Sequence, residues 1–341
     1  MTHKMLPRAV AAAMALGLAL TGCSSSNNNS SSTTGATGGS TATTGGTTAA
    51  SYRVAYVARA QSDSFAAWLA NEIKAEAAKY PDITLEVFDG QADDDKENTM
   101  IENAIANKFD AIIVQPNNGE AQRPYVEKIV AAGIHCITTN ARIAGIDGCS
   151  SIDANPYDQG AGPAKLALTQ VPQNAKVVVL NGPSGNFHTI ERRKAWQAEF
   201  FDKRPDVKIV AEDIANWNKD EGLNFMQDWI IAYGKIDAII SMNDNMAAGA
   251  LEAVGDKADL QGILAYGVDG TPEATLLIKD GKMTATALQS AIDLAKLNVA
   301  AVHDLLTGKQ TMVEDNVPAP VITKDNVQQY IDMYTTAGLL K

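Results

Sequence analysis

The sequence predicts an α/β protein made of two Rossmann-like lobes, each built on a parallel sheet. From residue 52 onward, short apolar runs alternate with longer amphipathic runs, which is typical of parallel strands joined by helices. The alternation occurs in two successive series, and a chain of 341 residues is long enough for two domains. Further elements follow the second series, so we expect the chain to recross between the lobes and to leave a cleft that can close.

The predicted strands are short apolar segments and the predicted helices are amphipathic. The first series has strands 54–57, 83–88, 111–114, 136–139 and 150–153, with helices 65–79, 96–107 and 123–132. The second series has strands 176–180, 207–211, 238–240, 263–267 and 284–287, with helices 156–169, 190–201, 221–233, 247–254 and 271–278. Helices 293–306 and 326–336 flank the stretch 311–324, which fits no simple third domain.

Residues 1–22 have the pattern of a lipoprotein signal peptide. Lys4 and Arg8 supply a positive region, and residues 9–20 are apolar but too short for a good transmembrane span. The run Leu-Thr-Gly-Cys then ends at Cys23 and resembles a bacterial lipobox. This implies an extracytoplasmic protein anchored to the cell membrane by a lipid on Cys23, with a plain secretory signal as the alternative. Residues 23–50 lack charged and large apolar residues, so we predict a disordered Ser/Thr/Gly/Asn tether.

Composition and motifs argue against several classes of function. A formal net charge of −12 with no dense basic run disfavours a nucleic-acid partner. The four histidines are scattered and no metal-ligand spacing occurs, so we predict no metal. The turn after the first strand, residues 58–65, has no glycine, which disfavours a dinucleotide cofactor. There is also no P-loop and no nucleophile elbow with convincing partners, so we expect neither a cofactor nor catalysis.

Polar and aromatic residues recur at the carboxyl ends of the predicted strands, where open α/β sheets bind ligands. Carboxylate, amide and guanidinium groups suit the vicinal hydroxyls of a polyol, and an aromatic face can cover the apolar side of a sugar ring. Taken singly, each residue could be a helix cap, a core residue or a surface residue, so their recurrence is the stronger argument. The candidate ligand-binding residues are Asp63, Phe65, Asn140, His188, Arg192, Trp217, Asn243, Asp269 and Gln289.

Two cysteines remain after Cys23. Cys136 and Cys149 each lie four positions before a polar residue at a strand end, Asn140 and Asp153 respectively. On neighbouring parallel strands the two cysteines would therefore be level. A disulfide in an oxidising location and a pair of buried free thiols are both compatible with this pattern.

Several segments together resemble the sugar-binding proteins of bacterial ABC transporters, in the ribose/galactose class with the periplasmic-binding-protein type I fold. The most specific segments are residues 243–250 (Asn-Asp-Asn-Met-Ala-Ala-Gly-Ala), 266–272 (Tyr-Gly-Val-Asp-Gly-Thr-Pro) and 281–289 (Gly-Lys-Met-Thr-Ala-Thr-Ala-Leu-Gln). The resemblance runs from about residue 52 to the carboxyl terminus. It implies two lobes joined by three hinge crossings, which close over one monosaccharide and present it to a membrane permease.

The resemblance also assigns segments to lobes. The N-terminal lobe would contain residues 51–153 plus about 290–316, and the C-terminal lobe residues 154–289 plus about 317–341. Asp63, Phe65 and Asn140 would come from the first lobe and Arg192, Trp217, Asn243 and Asp269 from the second, with Gln289 at a crossing.

The residues that resemble the family do not all indicate the same sugar. Asp63 and Trp217 favour a hexose, whereas Ala66 departs from the ribose type and Asn186-Phe-His188 departs from the galactose type. We predict a monomeric receptor for a hexose or a cyclic polyol such as inositol, with a pentose less favoured. A receptor for a sugar-like signal in chemotaxis or quorum sensing is the first alternative, and an extracytoplasmic enzyme is the second.

Overall fold

The structure is a computed structural model that describes residues 51–341. The first series of elements comprises β1 (Tyr52–Ala58), α1 (Ser64–Ala77), β2 (Ile83–Asp89), α2 (Asp94–Ala106), β3 (Ala111–Val114), α3 (Gly119–Ala131), β4 (His135–Asn140) and β5 (Cys149–Ala154). The second series comprises α4 (Pro156–Gln170), β6 (Lys176–Asn181), α5 (Phe187–Glu199), β7 (Lys208–Ile214), α6 (Lys219–Tyr233), β8 (Ala238–Ser241), α7 (Asp244–Val254), β9 (Leu264–Asp269), α8 (Pro272–Lys279) and β10 (Ala285–Leu288). The chain ends with α9 (Ala291–Leu306), β11 (Glu314–Val317), β12 (Val321–Thr323) and α10 (Val327–Thr336).

These strands form two six-stranded sheets, one in each lobe. The first sheet has the order β11-β5-β4-β3-β1-β2, and all its pairs are parallel. The second has the order β12-β10-β9-β8-β6-β7 and is parallel except where β12 runs against β10. Strands β3 and β8 are buried along their whole length, as expected where helices cover both faces of a parallel sheet. The predicted two-lobe α/β fold is confirmed.

The chain passes between the two sheets three times. It leaves the first sheet after β5, because the following helix α4 packs on α5 and β10. It returns after β10, where α9 packs on α1 and β4, and it crosses again between β11 and β12. These are the three crossings that the family resemblance implied.

The largest departure from the sequence prediction lies in the stretch 311–324. It supplies one edge strand to each sheet, β11 to the first and β12 to the second. Glu314, Asp315 and Asn316 of β11 are exposed, so this strand lacks the apolar pattern by which the other strands were predicted. Helix α3 also begins at Gly119 rather than at residue 123, because the Asn118 side chain caps it by accepting a hydrogen bond from a backbone N–H at 3.1 Å.

The two cysteines of the folded part face each other. Cys136 of β4 is in register with Cys149 of β5, their Cα atoms are 4.8 Å apart, and their sulfur atoms form a disulfide. The same register pairs Asn140 with Asp153 at the ends of the two strands.

None of the helices within residues 51–341 combines the length and the apolar character needed to cross a membrane. The predicted signal peptide, Cys23 and the tether lie outside the described residues.

Candidate ligand-binding site

A cavity of about 330 Å³, including its part open to solvent, lies between the lobes at the carboxyl ends of the parallel strands. All nine candidate ligand-binding residues line it: Asp63, Phe65, Asn140, His188, Arg192, Trp217, Asn243, Asp269 and Gln289. The remaining lining residues are Arg59, Pro116, Ala141 and Asn186.

Three of the lining residues are also helix N-caps. Asp63, Asn186 and Asn243 cap α1, α5 and α7, and their side-chain oxygens accept hydrogen bonds from backbone N–H groups at 2.8, 3.0 and 2.9 Å. Asp63 and Asn243 are therefore helix caps, as one alternative from the sequence proposed. Both residues nevertheless line the cavity as well. Capping fixes one oxygen of each side chain at the cavity wall and leaves the other polar atom free for a different contact.

Arg192 is the centre of a buried hydrogen-bond network in the second lobe. Its Nε and Nη2 donate to Oε1 of Gln159 at 2.9 and 2.7 Å, and Nη1 donates to the carbonyl oxygen of Met242 at 2.7 Å. Nη2 also donates to Oε1 of Gln289 at 2.8 Å and lies 3.4 Å from Oδ1 of Asp269. One guanidinium thus fixes two cavity-lining side chains, one of them at the second hinge crossing.

Trp217 has an unusual backbone conformation. Its φ is 61° and that of Asn216 is 48°, values that are uncommon for residues other than glycine. The Asn245 side chain donates to the Trp217 carbonyl oxygen at 2.8 Å and holds this turn. The indole lies against Gly182, where an added Cβ would overlap the ring, and the Arg192 guanidinium is 5.5 Å from the ring centroid.

Asp269 also has positive φ, at 119°. The turn that follows it is held by Asp244, whose Oδ2 accepts from the Thr271 backbone N–H at 2.9 Å and whose Oδ1 accepts from the Thr286 hydroxyl at 2.6 Å. The same hydroxyl accepts from the Gly270 N–H at 3.2 Å. A buried network therefore keeps the Asp269 carboxylate at the cavity despite its strained backbone.

The lobes contact each other beside the cavity. The Asn186 side chain of the second lobe donates to the carbonyl oxygen of Asn117 in the first at 2.9 Å. His188 Nε2 lies 3.4 Å from Oδ1 of Asp153, which is at the end of β5, and Arg142 Nε lies 3.6 Å from the other Asp153 oxygen. The cleft between the lobes is closed in this structure.

Burial changes the ionisation of several groups at the site. It raises the pKa of Asp269 well above its ordinary value, against the opposing effect of Arg192, and raises the pKa of Asp153 and of Asp244 to about 7. Burial also lowers the pKa of His188 well below its ordinary value, so this imidazole is neutral at pH 7. Two guanidinium groups and two carboxyl groups line the cavity, and all four can form hydrogen bonds with ligand hydroxyls.

Sequence reasoning missed Arg59 and Asn186 in the cavity wall and Gln159, Asp153 and Asp244 behind it. Asn186 directly precedes a helix, as Asp63 does, so the capping pattern could have identified it. Gln159 lies inside α4 and Arg59 lies in a loop without a motif, and no sequence signal distinguishes either from a surface residue.

Known proteins show the same fold and related sequences. A model of the periplasmic binding protein domain matches residues 54–310. The chain is 30% identical over 239 residues to the xylitol-binding protein of Mycolicibacterium smegmatis, covering 70% of this chain and 68% of that protein. It is 28% identical over 235 residues to the ribose import binding protein of Bacillus subtilis, covering 69% and 75%.

A solved structure supports the same assignment. The Caulobacter myo-inositol binding protein bound to myo-inositol matches with a TM-score of 0.77 and 27% identity, covering 82% of this chain and 97% of that chain. The chain belongs to the periplasmic binding protein domain family, which is extracytoplasmic, and the family resemblance predicted from its sequence is confirmed.

Proposed function

We propose that this chain is an extracytoplasmic receptor that binds one uncharged hexose or cyclic polyol between its lobes and delivers it to the permease of an ABC importer. The main supporting observation is the cavity, because all nine side chains whose chemistry suits a polyol line this single space between the lobes. The relatives support the same chemistry, since xylitol, ribose and myo-inositol are all uncharged polyhydroxy compounds. The receptor acts as a monomer, and ligand contacts from both lobes favour its closed state without any chemical step.

An unpaired polar atom at the cavity supports a ligand there. The Asn140 amide oxygen is buried and has no hydrogen-bond partner among residues 51–341. Leaving such an atom unpaired costs about 1–3 kcal/mol, which a ligand hydroxyl would offset. Phe65 and Trp217 come from different lobes, and we propose that they contact the apolar C–H surfaces of the bound ring.

The amino terminus completes the proposal. We propose that Cys23 carries the lipid anchor and that residues 23–50 act as a tether. A chain of this length and composition has a root-mean-square reach on the order of 30 Å, from about 5–6 Å times the square root of the residue number. That reach would let the folded body meet a membrane-embedded permease while staying attached to the membrane.

Thermal unfolding of the purified full chain with single ligands tests the function. We expect hexoses or inositols to raise the midpoint strongly, since a ligand at a thousand times its Kd adds about 4 kcal/mol to the native state. Sugar phosphates should have no effect. A chain that responds to none of the uncharged sugars and polyols would contradict the proposal.

A matched pair of variants tests the location of the site. Asparagine tolerates the positive φ of residue 217, so Trp217→Asn removes the indole without adding backbone strain. We expect calorimetry to show an affinity at least about tenfold weaker in this variant, as the loss of a buried ring contact implies. Tyr233→Asn, at the exposed end of α6, is the control and should bind like the wild type.

A further inference from the structure

Arg59 is a buried arginine at the cavity with few partners in the protein. It lies between β1 and α1 and is only 7% exposed. Its backbone is held on both sides, because its N–H donates to Gln115 Oε1 at 3.3 Å and its carbonyl oxygen accepts from the Ala92 N–H at 2.9 Å. Its guanidinium forms one ion pair, with Nη2 lying 3.1 Å from Oδ1 of Asp63. Across residues 51–341, the Arg59 side chain has no other hydrogen-bond or ion-pair partner.

Arg192, the other arginine at the cavity, has hydrogen-bond partners within the protein. All three of its side-chain nitrogens already donate to oxygens of Gln159, Met242 and Gln289. A guanidinium offers five N–H donors in a planar fork, and those of Arg192 are largely used within the second lobe. Those of Arg59 are largely unused although the side chain lines the cavity.

We propose that Arg59 recognises the ligand and determines its selectivity, alongside Arg192, which also positions Gln289 and Asp269. The Arg59 fork donates to two adjacent hydroxyl oxygens, and Asp63 accepts from a hydroxyl of the same pair. The first lobe therefore selects a vicinal diol. This inference rests on the proposed function and narrows the ligand to an uncharged ring compound that directs such a diol toward the first lobe.

The surroundings of Asp63 agree with this assignment. Its Oδ1 serves the α1 cap and the ion pair with Arg59, while its Oδ2 has no hydrogen-bond partner in the described chain. Because the pair is neutral as a whole, it provides donors and acceptors without favouring an anion.

Titration calorimetry on the purified full chain tests the assignment. The wild type is first titrated with myo-inositol, D-glucose, D-galactose, D-ribose and xylitol. The tightest binder is then compared with its analogues that lack one hydroxyl each. In the wild type we expect the two analogues that break the recognised diol to bind about tenfold to a hundredfold more weakly, as for a buried charged donor left unpaired.

The same ligands are then titrated into Arg59→Lys, Arg192→Lys and Arg193→Lys. Lysine keeps the charge but lacks the fork. In Arg59→Lys we expect the two analogues to bind within about threefold of the affinity of the parent ligand. This loss of affinity for the analogues relative to the parent ligand is the penalty that the variants compare. In Arg192→Lys every ligand should weaken by a similar factor and the penalty should persist. Arg193, which pairs with Glu212 at the surface, is the matched control and should change neither quantity.

The outcomes distinguish a failure of the proposed function from a failure of the Arg59 assignment. A wild-type chain that binds no ligand of the panel contradicts the proposed function, and this inference falls with it. If the wild type binds but the penalty is unchanged in Arg59→Lys, or is lost only in Arg192→Lys, the assignment of Arg59 is wrong and the proposed function stands. Should Arg59→Lys not fold, Arg59→Gln carries the same expectation.

Discussion

At the scale of single residues, three side chains of the proposed site are carried by backbone with positive φ. Asn140, Trp217 and Asp269 line the cavity and have φ of 65°, 61° and 119°. Such conformations persist only where the surrounding contacts fix them, and the Asn245 and Asp244 hydrogen bonds do so for the turns at Trp217 and Asp269. At these two residues the strained backbone carries an indole and a carboxyl group that line the cavity.

Gly182→Ala should weaken ligand binding without unfolding the protein. The φ of Gly182 is not in the left-handed region, so alanine is acceptable to the backbone, but its Cβ would displace the Trp217 ring. We expect calorimetry to show an affinity lower by about tenfold or more, in the range for the loss of one good aromatic contact. In Gly119→Ala the new Cβ meets nothing closer than 3.8 Å, so this control should bind normally. Equal affinities in both variants would remove the Trp217 ring from the binding surface.

At the scale of elements, the disulfide joins neighbouring strands beside the cavity. The sequence separation between Cys136 and Cys149 is 13, and closing a loop of this size stabilises a fold by about 3 kcal/mol through the entropy of the unfolded chain. We expect replacement of both cysteines by alanine to lower the free energy of unfolding by about this amount in urea titrations. A reducing agent should destabilise the wild type similarly and leave the double variant unchanged. If the reducing agent does not destabilise the wild type, the two thiols are free.

The sequence predicted those elements and site residues whose physical signals are local. Apolar runs identified the central strands, and the rule that ligands bind at strand ends led to nine of the residues that line the cavity. Strand β11 was missed because its register depends on pairing with β5 rather than on its own apolar content. Arg59 was missed because its importance comes from burial and from the partners that it lacks, and both are properties of the folded chain.

At the scale of the whole molecule, folding buries several carboxyl groups that prefer to be neutral. Besides Asp153 and Asp244, Glu97 on α2 is fully buried and accepts a hydrogen bond from the Asn117 backbone N–H at 3.0 Å. Burial raises the pKa of Glu97 from 4.5 to about 8. Asn117 in turn contacts the second lobe through Asn186, so this buried carboxyl supports a loop at the interface between the lobes.

The pH dependence of stability follows from these raised pKa values. Between pH 4.5 and about 8 the folded state keeps a proton on Glu97 that the unfolded state has lost, so the free energy of unfolding falls as the pH rises. One pKa unit corresponds to about 1.4 kcal/mol, which gives Glu97 an effect of a few kcal/mol. Urea titrations between pH 5 and 8.5 should show this decline, and a smaller one in Glu97→Gln, because glutamine keeps a hydrogen-bond acceptor but cannot ionise. The control is Glu127→Gln on the exposed face of α3, which should follow the wild type. If the free energy of unfolding falls with pH as steeply in Glu97→Gln as in the wild type, Glu97 does not hold its proton in the folded state.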